Sequence, residues 1–261
     1  MKIKRFKKFE NGVVYAIELE DGYLIETTDT FLPFYTKDAI GRHQNLLDNY
    51  ELSDRSERWL CGVSVMSGCP VKCKFCATGQ MKKWRNLTTD EIIDQVDFIV
   101  SQNPNYNPKN SKEFKVNYTR MGECGLNLNN VKDAIQILSI KYPNVHHYIS
   151  TIGIKDCDFS WVKDNITLQV SLHATNEDSR NWLIPYKNKM TIEELGQIRT
   201  QSYLKTTINL TLVKEEDFDI EVLKKYFDKD YFFVKISPIN KNDNSLKHDL
   251  GDGIIDGKNL I

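Results

Sequence analysis

"GCPVKCKFCATGQMKKWRNLTTDEIIDQV", Gly68–Val96, sets three cysteines within eight residues and then runs into a helix start. Cys69, Cys73 and Cys76 follow a C-x3-C-x2-C spacing. Thiolates bind soft metals, and three on one tight loop can hold three corners of a cubane iron–sulfur cluster, leaving the fourth iron open to a small molecule. A structural zinc site instead takes four ligands, from paired C-x2-C knuckles or from histidines at short spacing. Cys61, Cys124 and Cys157 stand alone, and His146-His147 lies far along the chain. Spacing therefore favours an open cluster and leaves two blander readings, a zinc staple or a set of buried free thiols. A ferredoxin-like carrier would need a fourth cysteine on the same pattern.

Around this loop the chain is rhythmic. Strand-like runs stand at Leu60–Met66, Phe114–Thr119, His146–Thr151, Ile166–His173, Thr206–Val213 and Tyr231–Ser237. Helical runs separate them. Thr88 with Glu91 forms a capping box ahead of the apolar positions Ile92, Val96 and Ile99. Val131, Ala134, Ile135 and Leu138 repeat the i, i+3, i+4, i+7 spacing, and Thr191 with Glu194 is a second capping box. Six β-then-α units predict parallel strands with right-handed crossovers in a full or partial barrel, whose ligand lies at the carboxyl ends of the strands.

Before the core, Val13–Leu32 alternates apolar and polar residues on both sides of Asp21-Gly22, which predicts a β-hairpin. Pro33–Trp59 is polar and reads as a surface connection with one helix. The tail from Lys241 has little periodicity and is expected to be loose. The expected organisation is thus 1–59 hairpin and connection, 60–240 core, and 241–261 tail.

At 261 residues the chain can bury a substantial core. Its net charge of −1 argues against bulk binding of polyanions while allowing a local basic patch. Six cysteines with three clustered point to metal chemistry in a reducing compartment, and so to the cytoplasm. No apolar run approaches a membrane span, and the basic start "MKIKRFKKFE" is followed by no signal-like stretch.

The flanks of the cysteine loop carry a resemblance. "GCPVKCKFCATGQMKKWRNLTTDEIIDQV", "MGECGLNLNNV", "ISTIG" and "VSLHATNEDSRNWLIPYKNKMTIEEL" together resemble the radical S-adenosylmethionine (SAM) superfamily, closest to the RlmN/Cfr-type ribosomal RNA adenine methylases. The similarity covers most of Cys61–Leu195, and "ELEDGYLIETTDTFLP" is similar to the strand pair that precedes the core there. It implies an α/β fold, a partial (β/α)6 radical-SAM barrel with a small N-terminal β-hairpin extension.

The resemblance also assigns roles. Cys69, Cys73 and Cys76 would bind a [4Fe-4S] cluster, and Phe75 would shield it. Gly122 and Glu123 would approach SAM, the carboxylate taking its ammonium. Ser150, Ser171, Leu172, His173 and Asn240 match further SAM contacts. Glu26 matches a catalytic base on the early hairpin. The implied reaction is reductive cleavage of SAM to a 5′-deoxyadenosyl radical that abstracts hydrogen from a nucleobase-containing substrate. Its partners would be SAM, a one-electron donor such as flavodoxin or ferredoxin, and RNA or a nucleotide. A monomer is expected.

Three departures stand beside this. Cys124 replaces the proline that usually follows the glycine–glutamate pair. The resolving cysteine of the family lines up with Gly62, and Cys61 is one residue early, which turns a strand side chain to the opposite face. No cysteine follows Cys157 to match the methyl-carrying thiol. A compact RNA adenine methylase with rerouted cysteines, or a non-catalytic iron–sulfur or zinc module, are therefore the rival expectations. Lys72, Lys74, Lys82, Lys83 and Arg85 around Trp84 read either as a nucleic-acid grip or as a solvated rim.

Overall fold

The computed structural model describes residues 1–31, 34–35, 50–51, 54–211, 217–237 and 239–250. Most of the expected surface connection lies outside these. Nine strands make the main sheet: β1 (Lys2–Phe9), β2 (Gly12–Glu18), β3 (Leu24–Phe31), β4 (Arg58–Gly62), β5 (Glu113–Tyr118), β6 (Val145–Thr151), β7 (Ile166–Ser171), β8 (Thr206–Leu210) and β9 (Phe232–Ile236). They lie in chain order across the sheet. The helices are α1 (Thr89–Ser101), α2 (Leu128–Lys141), α3 (Glu177–Leu183), α4 (Ile192–Gly196), α5 (Ile220–Tyr226) and α6 (Asp243–Lys247). The fold is mixed α/β, as expected, with each of the six predicted core strands present.

The chain divides into two compact units. The first comprises Met1–Ser64, Leu87–Arg120 and Asn129–His147. Here β1, β2 and β3 form an antiparallel meander, β3 pairs antiparallel with β4, and β4 pairs parallel with β5. Asp21-Gly22 turns the β2–β3 hairpin as predicted, with Gly22 at φ +82. The preceding β1, which was not foreseen, is exposed along its whole length. α1 opens on the complete Thr88–Glu91 capping box and buries Ile92, Val96 and Ile99. α2 buries Val131, Ala134, Ile135 and Leu138, the stripe its spacing predicted.

The second unit comprises Val65–Asn86, Met121–Leu128 and Tyr148–Ile261. β7 pairs parallel with β8, and β8 with β9. α4 begins on the Thr191–Glu194 capping box. One expectation is corrected: Lys241–Leu250 is not loose. Asn242 caps α6 through bonds from Asn244 N and Ser245 N, and Ser245 and Leu250 are buried. Residues 251–261 lie outside the described chain. No helix among the described residues is long and apolar enough to cross a membrane.

Candidate metal and cofactor site

The cysteine loop leaves regular structure because its own residues forbid it. Gly68 takes φ +74 where a Cβ would meet Lys83 O at 2.3 Å, so only glycine starts this loop. Lys72 adopts φ +57, a left-handed turn between the first two cysteines. Cys76 N donates to Cys73 O at 3.2 Å, and a 3-10 turn, Ala77–Gln80, closes the loop. Cys69 and Val71 sink into an apolar cluster with Ile152, Ile154, Ala174 and Leu183, against which Cys73 and Phe75 also pack.

The three thiols lie within electrostatic reach of one another. Burial pushes the Cys69 thiol up to about 12, with Glu123 and Cys76 adding to the rise. Burial also raises the Cys73 thiol well above its ordinary range, reinforced by Cys76, Cys69 and Glu123. Uncompensated thiolates are costly here, and a bound metal would supply the missing positive charge. Among the described residues no three Cys, His, Asp or Glu converge on a point that one ion could occupy. In a cubane each cysteine binds a different iron, so three thiols on one loop suit the three corners that protein sulfur would hold.

Gly122 and Glu123 lie in the same unit. Gly122 has φ +107, and a Cβ there would fall 2.6 Å from Met66 Cβ, so the position admits no side chain. Glu123 is 4% exposed, and burial raises its carboxyl above the usual range. Thr151 Oγ1 donates to its Oε1 at 2.5 Å, Gly125 N to Oε1 at 2.9 Å, and Ile152 N to Oε2 at 3.0 Å. A carboxylate offers about four acceptor positions, so one remains for a ligand cation.

Ser150 and Ser171, at the carboxyl ends of β6 and β7, bring their hydroxyls within 3.4 Å. His173 follows at φ +63, 4% exposed, with Nδ1 accepting from Thr211 N at 3.1 Å. Burial, helped by the charge of Arg180, drives its pKa down to about 3, so the ring is neutral and carries its proton on Nε2. The Phe75 ring meets the His173 ring edge-on at 4.7 Å. Leu172 is fully buried and spends its N–H on Asn209 O. Asn240 is exposed, its carbonyl accepting from Asn242 Nδ2 at 2.9 Å.

Glu26 and Cys61 fall in the other unit. Arg120 Nη2 donates to Glu26 Oε1 in an ion pair. Cys61 is fully buried on the face of β4 that carries Trp59, and burial raises its thiol well above the ordinary range. A thiol so placed is a poor nucleophile. Two residues that pattern reading passed over matter more. Arg180 is fully buried, donates to Ile152 O at 2.8 Å and Met190 O at 2.6 Å, and feels the charge of Cys73. Its Nε has no partner among the described residues. Lys189, 7% exposed, also feels Cys73. Neither residue stands out in the sequence, because "TNEDSRNWL" and "YKNKMT" are polar stretches in which one more cation carries no signal.

No family model matches the chain. The curated probable dual-specificity RNA methyltransferase RlmN of Dictyoglomus turgidum is 34% identical over 200 residues, covering 74% of this chain and 50% of that protein. Its counterpart from Pseudothermotoga lettingae is 31% identical over 252 residues, covering 91% and 64%. The chain thus spans about half to two thirds of the length of these relatives. A crystal structure of a radical SAM methyltransferase from Sphaerobacter thermophilus shares the fold at a TM-score of 0.66 and 23% identity, over 92% of this chain and 67% of that one. Proteins of this family use a [4Fe-4S] cluster and SAM. The cysteine loop, the buried glycine–glutamate pair and these relatives agree, and the chain belongs to the radical SAM superfamily, in its RlmN/Cfr-like branch.

Proposed function

We propose that this chain is a radical SAM enzyme in which Cys69, Cys73 and Cys76 each bind one iron of a [4Fe-4S] cluster and leave the fourth iron to SAM. The observation that carries this is the packing of the cysteine loop, with Cys69 and Cys73 on one apolar cluster and Phe75 against His173, in the same unit as Glu123. A cluster held by these cysteines would supply the one electron that cleaves SAM to methionine and a 5′-deoxyadenosyl radical, which would take hydrogen from the substrate. Glu123 keeps one acceptor position for the ammonium, and Gly122 lets the backbone come close. Neutral His173 offers an Nε2–H, and the Ser150–Ser171 pair offers hydroxyls at the same strand ends. Buried Arg180 and Lys189 offset the negative charge that gathers on the loop.

In this reading strands β4–β9 form the partial (β/α)6 barrel. The substrate carries a nucleobase, and the names of the relatives support RNA. The stretch Gly68–Asn86 holds five cations and no acid, which suits an acidic electron donor of the flavodoxin or ferredoxin kind.

The test is anaerobic reconstitution with iron and sulfide, followed by SAM and dithionite. The expected products are methionine and 5′-deoxyadenosine, both lost in Cys73→Ala. A loaded protein that leaves SAM intact would make the loop a structural module. Methyl transfer to RNA is a second reading, favoured by the relatives' names; if it runs through rerouted cysteines, turnover with labelled SAM puts methyl label on one of them, and label on none would dismiss that route.

A further inference from the structure

Asn242 and Asn244 reach back 167 to 171 residues to the backbone of the cysteine loop. Asn244 Nδ2 donates to Cys73 O at 3.0 Å and to Cys76 O at 2.9 Å. Asn242 Nδ2 donates to Phe75 O at 2.8 Å. All three receivers are carbonyls, which only accept, so the amide nitrogens and not the oxygens face the loop. Asn244 is 5% exposed, which protects its two bonds from competition by water. The opposite atom of Asn242, Oδ1, caps α6 by accepting from Asn244 N and Ser245 N.

A carbonyl and the N–H that follows it share one rigid plane. Pinning the carbonyls of Cys73, Phe75 and Cys76 therefore fixes the peptide planes on both sides of Cys76 and the one after Cys73. The direction of the Cys76 Cα–Cβ bond follows from its two planes, and that of Cys73 is restricted to rotation about its own Cα–C bond. The loop's other backbone bonds among the described residues include Cys76 N to Cys73 O, Gly79 N to Cys76 O and Lys74 N to Leu183 O, beside the packing of Cys69, Val71 and Phe75. We propose that Asn242 and Asn244 are positioning residues for the cluster, presetting Cys73 and Cys76 so that metal binding orders little that is not already ordered. The inference rests on the assignment of these cysteines as cluster ligands.

Two variants isolate the effect. Asn242→Ser keeps a capping hydroxyl and loses the amide donor, while Asn244→Ala removes both donors without adding charge. Lys247→Ala, on the exposed side of α6, is the control. Iron and sulfide per chain, the rate of iron loss to a chelator, and the electron paramagnetic resonance signal of the dithionite-reduced cluster are measured, with melting curves of the metal-free proteins. The expected result is near-wild-type melting but roughly tenfold faster iron loss in Asn244→Ala, the scale typical of outer-shell partners, and a smaller rise in Asn242→Ser. Wild-type retention and spectra in both variants would overturn the proposal. So would iron loss matched by Lys247→Ala or by collapse of the metal-free melting in both variants. If wild-type protein takes up no cluster, the ligand assignment itself falls; if it loads and both variants load equally, only the clamp falls.

Discussion

At position 62 the chain has no room for a side chain. A Cβ there would lie 2.2 Å from Thr28 Oγ1 and 3.0 Å from Arg120 Cδ. The resolving cysteine expected in this family therefore could not be restored by a simple substitution. Gly62→Cys should lose about 1–3 kcal/mol, the range for overpacking, seen as a lower urea midpoint of the metal-free protein. An unchanged midpoint would mean that Thr28 and Arg120 move aside freely. The neighbouring Cys61 shows the same point from the other face of β4, since one step along a strand carries it into the core with Trp59. Glu123 gives the contrasting lesson at this scale. Its type and place in "GEC" were legible in the sequence, but the three protein donors that hold it, Thr151, Gly125 and Ile152, come from segments up to 29 residues away.

Among the elements, α2, β5 and β6 are joined by one buried polar chain. His147, fully buried on β6, contacts Tyr118 Oη at 3.1 Å through Nδ1 and Ser139 Oγ at 3.0 Å through Nε2. Burial, with His146 adding to it, lowers its pKa to about 3. In the unfolded chain the same ring takes a proton near pH 6.5, so below that pH the unfolded state binds more protons than the native one. Stability contributed by this group is thus full above about pH 6.5 and declines as the pH falls towards 3. Between pH 6.5 and 5 the loss is about 2 kcal/mol, from 1.36 kcal/mol per unit. His147→Gln should reduce the difference between urea midpoints at the two pH values, with His173 still contributing; an equally steep difference in the variant would refute the assignment. Helix boundaries and caps at this scale were readable from Thr88, Glu91, Thr191 and Glu194, because a capping box lies within four residues of sequence. β1 was not, because "KIKRFKKF" buries no face and so has no core-facing alternation to detect.

For the whole molecule, a ligand that binds only the folded state stabilises what it touches. Cluster loading should therefore raise the melting temperature and add hydrogen-exchange protection over 68–81 and 239–250, the loop and the segment bonded to it. Protection gained by the loop but not by 239–250 would contradict that coupling. Charge is also distributed at this scale: the chain nets −1, yet β1 alone carries five cations and exposes Phe6 and Phe9. The sequence by itself determined the order of β and α units, the two capping boxes and the C-x3-C-x2-C donor set. Each of those is written in residues close together, where spacing alone states the geometry. Only the tertiary structure decided that position 62 has no room for a side chain, that Arg180 is fully buried, and that two late asparagines bond to the loop. Those facts depend on side chains meeting across as many as 171 residues, where no local period or spacing records the encounter.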